Sequence, residues 1–329
     1  MTRKITYVQA FNEAVRHAME ADETVFCAGE DIGGFGGVFQ TYAGLQKQFG
    51  EGRVVDTPIS EQAIIGLGVG AAVTGLRPIV DIMFMDFICV AFDQIVNQAA
   101  KIKYMFGGAA TVPLTITTGG GGGLSAAAQH SQSLEALLCH IPGLKVVYPS
   151  NPYDMKGLMA SCISEDNPTI MVKHKRLLGM QGEVPEEAYA IPLGQANVVR
   201  EGSDVTVVGW GRMANNALEA ADNLATDGID VEVIDPRTLQ PLDTDAIVAS
   251  VRKTNRVVVV HEAVRFGGLG AEVAAQIQEE AFDYLDAPVG RIAAPFSPVP
   301  FSPSLEAAYL PSVGQIEDAV RSTLARPGA

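Results

Sequence analysis

The sequence contains only four cysteines in 329 residues, and no two of them form a Cys-x-x-Cys pair. A zinc ribbon needs such pairs and is excluded, and the scattered thiols favour a reducing compartment. Basic residues are also few, with 23 lysines and arginines against 38 aspartates and glutamates, which gives a net charge of −15. This charge argues against nucleic acid or an anionic membrane as a partner, whereas a basic protein partner or a plain acidic surface fits it.

Long apolar runs are missing as well. The most apolar stretch, residues 79–92, is interrupted by Asp81 and Asp86 and is too short to span a bilayer. The N-terminus lacks the apolar segment of a signal peptide, so we expect a cytoplasmic protein. Aromatic residues make up only 7% of the chain but hydrophobic residues 47%, which is enough for two cores and a large subunit interface.

Helical and strand-like segments alternate along the first 190 residues. This alternation is typical of an α/β domain with a parallel sheet. The predicted helices are Tyr7–Ala21 with Thr6 as its cap, a helix that begins near Glu61 and ends near Thr74, and a long helix over residues 87–104. The predicted strands cover residues 24–28, 53–56, 78–84, 114–117, 145–147 and 169–172.

A polar stretch at residues 182–187 predicts a linker, which divides the chain into domains at residues 1–186 and 187–329. The second part repeats the alternation on a smaller scale. Its predicted strands are residues 204–208, 231–234 and 257–260, and its predicted helices are residues 213–226, 245–253 and 313–324. The proline-rich stretch 295–301 cannot be helical.

Three glycine clusters invite a nucleotide-binding interpretation. The clusters at residues 33–37 and 119–123 are predicted loops, and neither continues into the Gly-Lys-Ser/Thr of a phosphate-binding loop. The third cluster, from Gly209 to Ala214, lies between a strand and a helix and is followed by Asp235, much like a dinucleotide-binding fingerprint. Trp210 and Arg212 would crowd a pyrophosphate there. A structural turn is therefore favoured, and an NAD-dependent oxidoreductase stays open as an alternative.

Glu61 begins a predicted helix directly after Ser60. A glutamate in the first turn can simply complement the helix dipole. The helix that follows has no charge between residues 63 and 72 and carries small residues along one face, so we expect it to pack against another backbone. A carboxylate at the edge of such an apolar interior is a candidate for proton transfer.

His130 follows the five-glycine cluster and is flanked by small residues. That setting suits a general acid or base open to substrate, although a hydrogen-bonded structural histidine fits the pattern too. Ser131 lacks the Gly-x-Ser-x-Gly context of a hydrolase nucleophile. The other four histidines show no metal-binding spacing.

Longer motifs resemble the β subunit of the thiamine-diphosphate-dependent first component of 2-oxo acid dehydrogenase complexes. They are residues 56–61, 75–78, 92–95, 128–132, 140–147 and 235–239. Residues 104–108, 178–187 and 298–302 resemble the acetoin dehydrogenase branch most, with the pyruvate dehydrogenase β subunit as the alternative. The branched-chain branch has Tyr where this chain has Gln129, which argues against branched-chain substrates.

The resemblance implies a role for each matching residue. Glu61 matches the glutamate that hydrogen-bonds the N1′ atom of the cofactor's aminopyrimidine, and Phe87 the aromatic residue that packs on that ring. Ile59 is placed at the cofactor beside them. His130 matches the histidine that handles protons at the substrate and helps to present the lipoyl arm. A structural potassium site is matched by the carbonyl groups of Leu114, Cys162 and Ile163 together with Glu165 and Asn167, where Glu165 replaces the usual Asp.

The same resemblance implies a partner chain. The family holds the diphosphate and a Mg²⁺ ion on a Gly-Asp-Gly motif, and this sequence has none, so an α subunit is expected to supply both. The resemblance implies an α2β2 heterotetramer that passes an acyl group to a lipoyl acyltransferase core. It also implies a pyrimidine-binding domain followed by a smaller domain like the transketolase C-terminal domain. A non-catalytic assembly subunit, with Glu61 as a mere helix-terminal residue, remains a third interpretation.

Overall fold

A computed structural model describes residues 2–325, which fall into two compact units. The first unit comprises the residues up to Gly120 together with Leu137–Leu193. The second unit comprises Gly121–Ala136 and the residues from Gly194 onward. The five-glycine cluster is therefore divided between the two units. Gly119 and Gly120 end a strand of the first unit, whereas Gly121 begins a segment of the second.

The first unit is built on a parallel sheet. Its strands are β1 (Thr2–Thr6), β2 (Val25–Gly29), β3 (Val54–Asp56), β4 (Arg77–Phe84), β5 (Thr115–Gly120), β6 (Lys145–Val147), β7 (Thr169–His174) and β8 (Gln181–Pro185). Six of them form the sheet in the order β6-β7-β5-β4-β2-β3, and every pair in it is parallel. The central strands are buried along their length, as expected for a sheet covered on both faces. The predicted parallel α/β fold is confirmed.

Helices cover this sheet. They are α1 (Tyr7–Ala21), α2 (Leu45–Phe49), α3 (Glu61–Val73), α4 (Ile102–Met105), α5 (Glu135–Cys139) and α6 (Pro152–Ser164), with a short 3-10 helix at Lys175–Leu177. Helix α1 has the predicted bounds because Thr6 and Gln9 form a capping box, in which each side chain accepts a hydrogen bond from the other's backbone N–H. Its buried face, which includes Phe11 and Val15, packs on α6.

Three predictions for this unit are wrong in detail, and the first is the loop at residues 119–123, because Gly119 and Gly120 end strand β5. Residues 87–104 do not form one regular α-helix, because a 3-10 helix (Met85–Ala91) and a π-helix (Gln94–Ala99) precede the short α4. The stretch at residues 182–187 is mostly strand β8, which pairs antiparallel with β1. Pro185 lies at the end of that strand, where a missing N–H costs little.

The second unit has a smaller mixed sheet. Its elements are β9 (Asn197–Arg200), β10 (Val205–Gly209), α7 (Arg212–Ala225), β11 (Val231–Asp235), β12 (Thr238–Gln240), α8 (Thr244–Thr254), β13 (Val257–Val264), α9 (Leu269–Ala281), a 3-10 helix (Phe282–Tyr284), β14 (Gly290–Ala294), α10 (Pro303–Tyr309) and α11 (Val313–Leu324). Five strands form a sheet in the order β14-β13-β10-β11-β9, in which only β9 is antiparallel to its neighbour. Residues 295–301 are free of helix, as predicted.

Within residues 2–325, none of the helices has both the length and the apolar composition that crossing a bilayer requires.

Candidate functional site

The carboxyl ends of β2, β3 and β4 lie at one edge of the first unit's sheet, because the three strands are parallel neighbours. In open α/β sheets this edge is where ligands bind. Glu30 directly follows β2, Glu61 begins the helix after β3, and Phe87 lies in the 3-10 helix after β4. The structure therefore brings Glu61 and Phe87, both half-buried, to the same edge.

Glu30 was missed by the sequence analysis. Burial raises the pKa of its carboxyl group, and the negative charges of Asp31 and Glu61 raise that pKa further. The negative charge of Glu61 thus disfavours the ionised form of Glu30 at this edge of the sheet. The only sequence signal for Glu30 is an acidic residue immediately after a buried strand.

Helix α3 packs closely against the sheet on one face. A Cβ atom on Gly68 would come within 2.8 Å of Leu114 Cδ1 and 3.0 Å of Val80 Cγ1, so a larger residue here would require these side chains to shift. Helix α3 does pack on β4 of the sheet, but the atoms nearest to the Cβ position of Gly68 belong to side chains rather than to a backbone. The opposite face remains apolar but exposed in this chain, with Leu67 and Val73 both accessible to solvent.

Ile59 and Phe87 differ in their surroundings. Ile59 is 74% exposed, just before the helix that Glu61 begins. Phe87 ends a row of three aromatic rings, in which Phe39 packs edge-on against Phe84 at 5.4 Å and Phe84 against Phe87 at 5.6 Å between centroids. The neighbouring rings hold the Phe87 ring in place. Ile59, in contrast, exposes its apolar side chain to solvent at this edge of the sheet.

His130 belongs to the second unit, in the segment Gly121–Ala136. It is half-buried, and its backbone N–H closes a turn on the Ala127 carbonyl oxygen at 3.4 Å. The neighbouring Ser131 is buried, and its hydroxyl has no hydrogen-bond partner within residues 2–325. Activation of a serine nucleophile requires a hydrogen bond from its hydroxyl to a base, and no such bond is formed by Ser131 among residues 2–325.

The side chains of the predicted potassium site lie together, and both accept hydrogen bonds from lysine ammonium groups of this chain. Glu165 Oε2 is 2.5 Å from Lys145 Nζ, and Asn167 Oδ1 accepts a hydrogen bond from Lys103 Nζ at 2.8 Å. Asn167 in turn donates its Nδ2 to Glu165 Oε1 at 2.7 Å. Burial opposes the ionisation of Glu165, but the hydrogen bonds from Lys145 and Asn167 outweigh it and lower the pKa of this carboxyl group.

The carbonyl groups of that site are engaged as well. The Leu114 oxygen accepts from a backbone N–H, the Cys162 oxygen from Thr115 Oγ1 at 3.1 Å, and the Ile163 oxygen from Arg77 Nη1 at 3.1 Å. All-oxygen ligands suit a hard cation, and the ammonium groups of Lys103 and Lys145 and the guanidinium group of Arg77 contact three of these groups. In the described part of the chain, no cluster of three or more His, Cys, Asp and Glu residues could bind a metal.

The turn at Gly209–Ala214 is filled by an indole. Trp210 is buried, stacks on His261 with 5.2 Å between ring centroids, and donates its Nε1–H to Glu135 at 3.1 Å. Burial lowers the pKa of His261 to about 4, and the charge of Arg291 adds to the effect. Asp235 is completely buried and accepts from the Arg237 N–H, so it cannot reach a ribose. This geometry favours the structural turn over NAD binding.

Comparison with known proteins agrees with the two-part construction. Residues 3–181 match the pyrimidine-binding domain of transketolase, and residues 194–316 match the C-terminal domain of transketolase. A solved structure described as a split-gene transketolase, inactive β4 tetramer, superposes with a TM-score of 0.81 at 25% identity, covering 98% of this chain and 99% of that one.

Curated relatives align over nearly the full length. The β subunits of acetoin:2,6-dichlorophenolindophenol oxidoreductase from Bacillus subtilis and Cupriavidus necator are each 49% identical, over 99% and 98% of both chains respectively. The pyruvate dehydrogenase E1 component subunit beta of Staphylococcus epidermidis is 46% identical over 98% of this chain and 99% of its own. The chain therefore belongs to the family of β subunits of thiamine-diphosphate-dependent dehydrogenase first components, a family of transketolase-like oxidoreductases to which the acetoin and pyruvate enzymes belong.

Proposed function

We propose that this chain is the β subunit of an acetoin dehydrogenase and supplies the pyrimidine-binding half of its thiamine diphosphate site. A pyruvate dehydrogenase β subunit is the second candidate, favoured by the relatives at 46% identity. The observation that carries the proposal is the position of Glu61. It begins α3 at the carboxyl edge of the sheet, next to exposed Ile59 and near the fixed ring of Phe87.

The residues at this edge fit an aminopyrimidine. When bound, thiamine diphosphate would supply a nucleophilic carbon for the substrate carbonyl group. Glu61 would share a proton with the N1′ ring nitrogen, and the partial positive charge at the N-terminus of α3 stabilises its carboxylate. Phe87 would pack on the ring, and Ile59 would exclude water from one side of it. His130 would move a proton at the substrate.

A partner α subunit is proposed to hold the diphosphate and its Mg²⁺ ion, in an α2β2 assembly. Two observations support a partner. The sequence has no Gly-Asp-Gly motif, and the outer face of α3 leaves Leu67 and Val73 exposed. An apolar helix face of this kind is common in obligate interfaces. The proposal includes a reducing cytoplasmic location, supported by four free thiols.

The acyl group is proposed to pass to a lipoyl domain of an acyltransferase core. In this proposal residues 1–186 bind the cofactor and residues 187–329 serve assembly. The acidic charge of the chain supports docking of a basic subunit-binding domain on the second of these domains. Such docking should weaken as salt is added, and affinity that does not change with salt would contradict it.

Reconstitution tests the proposed function. The purified chain and a co-expressed α subunit, which carries the Gly-Asp-Gly motif, are assayed alone and together with thiamine diphosphate and Mg²⁺ on acetoin and on pyruvate. We expect turnover only with both chains present, and a higher kcat/KM for acetoin. A higher kcat/KM for pyruvate would select the second candidate. Turnover by this chain alone would overturn the shared site.

The potassium site is a further part of the proposal, with Lys103 as a competitor. Lys103 Nζ donates a hydrogen bond to Asn167 Oδ1. Lys103→Met should therefore free this oxygen as a ligand and strengthen binding of K⁺. In Lys103→Met we expect K⁺ to raise the melting temperature of the α/β complex more than Na⁺ does. In the unsubstituted enzyme this difference between the two ions should be smaller. Lys47→Met, which removes an exposed lysine, serves as control. Equal responses to both ions in all three proteins would exclude the site.

A further inference from the structure

The segment that carries His130 has an unusual backbone. Four of its residues have positive φ, namely Gly121 (81°), Gly123 (91°), Ser125 (53°) and Ala127 (62°). Glycine adopts such angles readily, but serine and alanine do so only when their surroundings hold them there. The conformation of the segment therefore depends on contacts that the glycines do not provide.

Glu306 provides three of those contacts. It lies on α10 and is only 3% exposed. Its Oε1 accepts the Gly123 N–H at 2.8 Å, and its Oε2 accepts the Ser125 N–H at 2.7 Å and the Ser125 hydroxyl at 3.3 Å. Hydrogen bonds from backbone amides to a buried carboxylate are short and strong. One side chain thus fixes the residues on both sides of Leu124.

Glu262 and Glu135 hold the segment 121–136 on either side of the residues that Glu306 contacts. Glu262, near the end of β13, accepts the Gly122 N–H at 2.9 Å. A Cβ atom on Gly122 would lie 3.0 Å from Leu310 Cδ2, so α10 and its flank also limit the space around this glycine. At the far end, Glu135 accepts the Trp210 Nε1–H. His130 lies between these anchors.

We infer that Glu306, assisted by Glu262, is a positioning residue for His130 and sets the geometry in which that histidine exchanges protons. The inference rests on the proposed catalytic role of His130. Nothing in the local sequence around residue 306 indicates it, since the contacts join residues 181 to 183 positions apart.

Glu306→Gln tests the inference in the α/β complex. Glutamine keeps the shape of the side chain, but its amide NH2 would face one of the two backbone N–H groups, so at least one hydrogen bond is lost. We expect amide hydrogen exchange at residues 122–125 to accelerate about tenfold, the change that matches loss of one hydrogen bond to a charged group. We also expect kcat for acyl transfer to fall by about as much, with a shifted pH profile and KM nearly constant.

The controls separate failure of this inference from failure of the proposed function. Glu279→Gln, which removes the same charge from an exposed position on α9, should leave exchange, kcat and pH profile unchanged. Glu306→Asp keeps the charge, so its exchange rates and its kcat should lie between those of Glu306→Gln and Glu279→Gln. It serves in place of Glu306→Gln if that variant does not assemble. If His130→Gln abolishes acyl transfer while Glu306→Gln alters neither the kcat nor its pH profile, the positioning role is wrong. If His130→Gln itself is fully active, the assignment of His130 fails.

Discussion

Glu61→Gln should lower turnover of the reconstituted α/β enzyme by about two to four orders of magnitude, the range that a well-placed proton-transfer group contributes. Glutamine has the same size and can still begin α3, so packing at the edge of the sheet is retained. What is lost is the ionisable oxygen that would share a proton with the pyrimidine nitrogen. The measurement is kcat on the preferred substrate at saturating thiamine diphosphate and Mg²⁺, with the mass of the assembly checked by light scattering.

Glu51→Gln is the matched control, because Glu51 is exposed and lies outside the proposed site. It should keep normal turnover. An α/β complex of Glu61→Gln that turns over at a near-normal rate would contradict the assignment and favour the interpretation of Glu61 as a helix-terminal residue. A variant that fails to assemble would instead point to a role of Glu61 in the subunit interface.

Helices with local capping signals could be predicted to the residue. Helix α1 begins at Tyr7 because Thr6 and Gln9 cap it, and α11 begins at Val313 because Ser312 and Gln315 form the same box. Both boxes use residues three positions apart, so the sequence alone contains the information. The buried strands of the parallel sheet were found for a similar reason, since short apolar runs mark them.

Elements that depend on distant partners were predicted less well. Strand β8 has the glycine and proline of a loop, and it becomes a strand only because β1, at the other end of the domain, pairs with it. In residues 85–105 the average spacing of apolar residues suggests a helix. Whether each turn closes as a 3-10, α- or π-turn is decided by packing, which the periodicity does not encode.

The candidate site shows the same division. Glu61 could be proposed from sequence because it follows a strand and begins an uncharged helix. Glu30 and Glu306 could not, because their significance comes from neighbours in space: the carboxylate of Glu61 for Glu30, and the backbone amides of Gly123 and Ser125 for Glu306. The resemblance to a known family supplied the role of His130, which its own surroundings in sequence left open.

A buried ion pair lies in the central strands of the first unit's sheet, and it was not predicted from the sequence. Lys173 Nζ on β7 lies 2.6 Å from Asp81 Oδ1 on β4, and both side chains are almost fully buried. Thr117 Oγ1 donates to the same carboxylate oxygen, and the ammonium group also lies over the rings of Phe11 and Tyr42. Since β5 separates the two strands, the pair spans three strands of the sheet.

Lys173→Met should destabilise the protein by about 3–5 kcal/mol, because it leaves Asp81 as an uncompensated charge in the interior. Lys173→Met combined with Asp81→Leu should recover most of that loss, since an apolar pair removes the desolvation cost of both charges and Thr117 can still bond to Tyr42. Denaturant unfolding at fixed protein concentration measures both effects. Lys47→Met, the same change at an exposed position, should cost less than about 0.5 kcal/mol. A cost for Lys173→Met as small as that of the control would show that the ammonium contributes nothing to the fold.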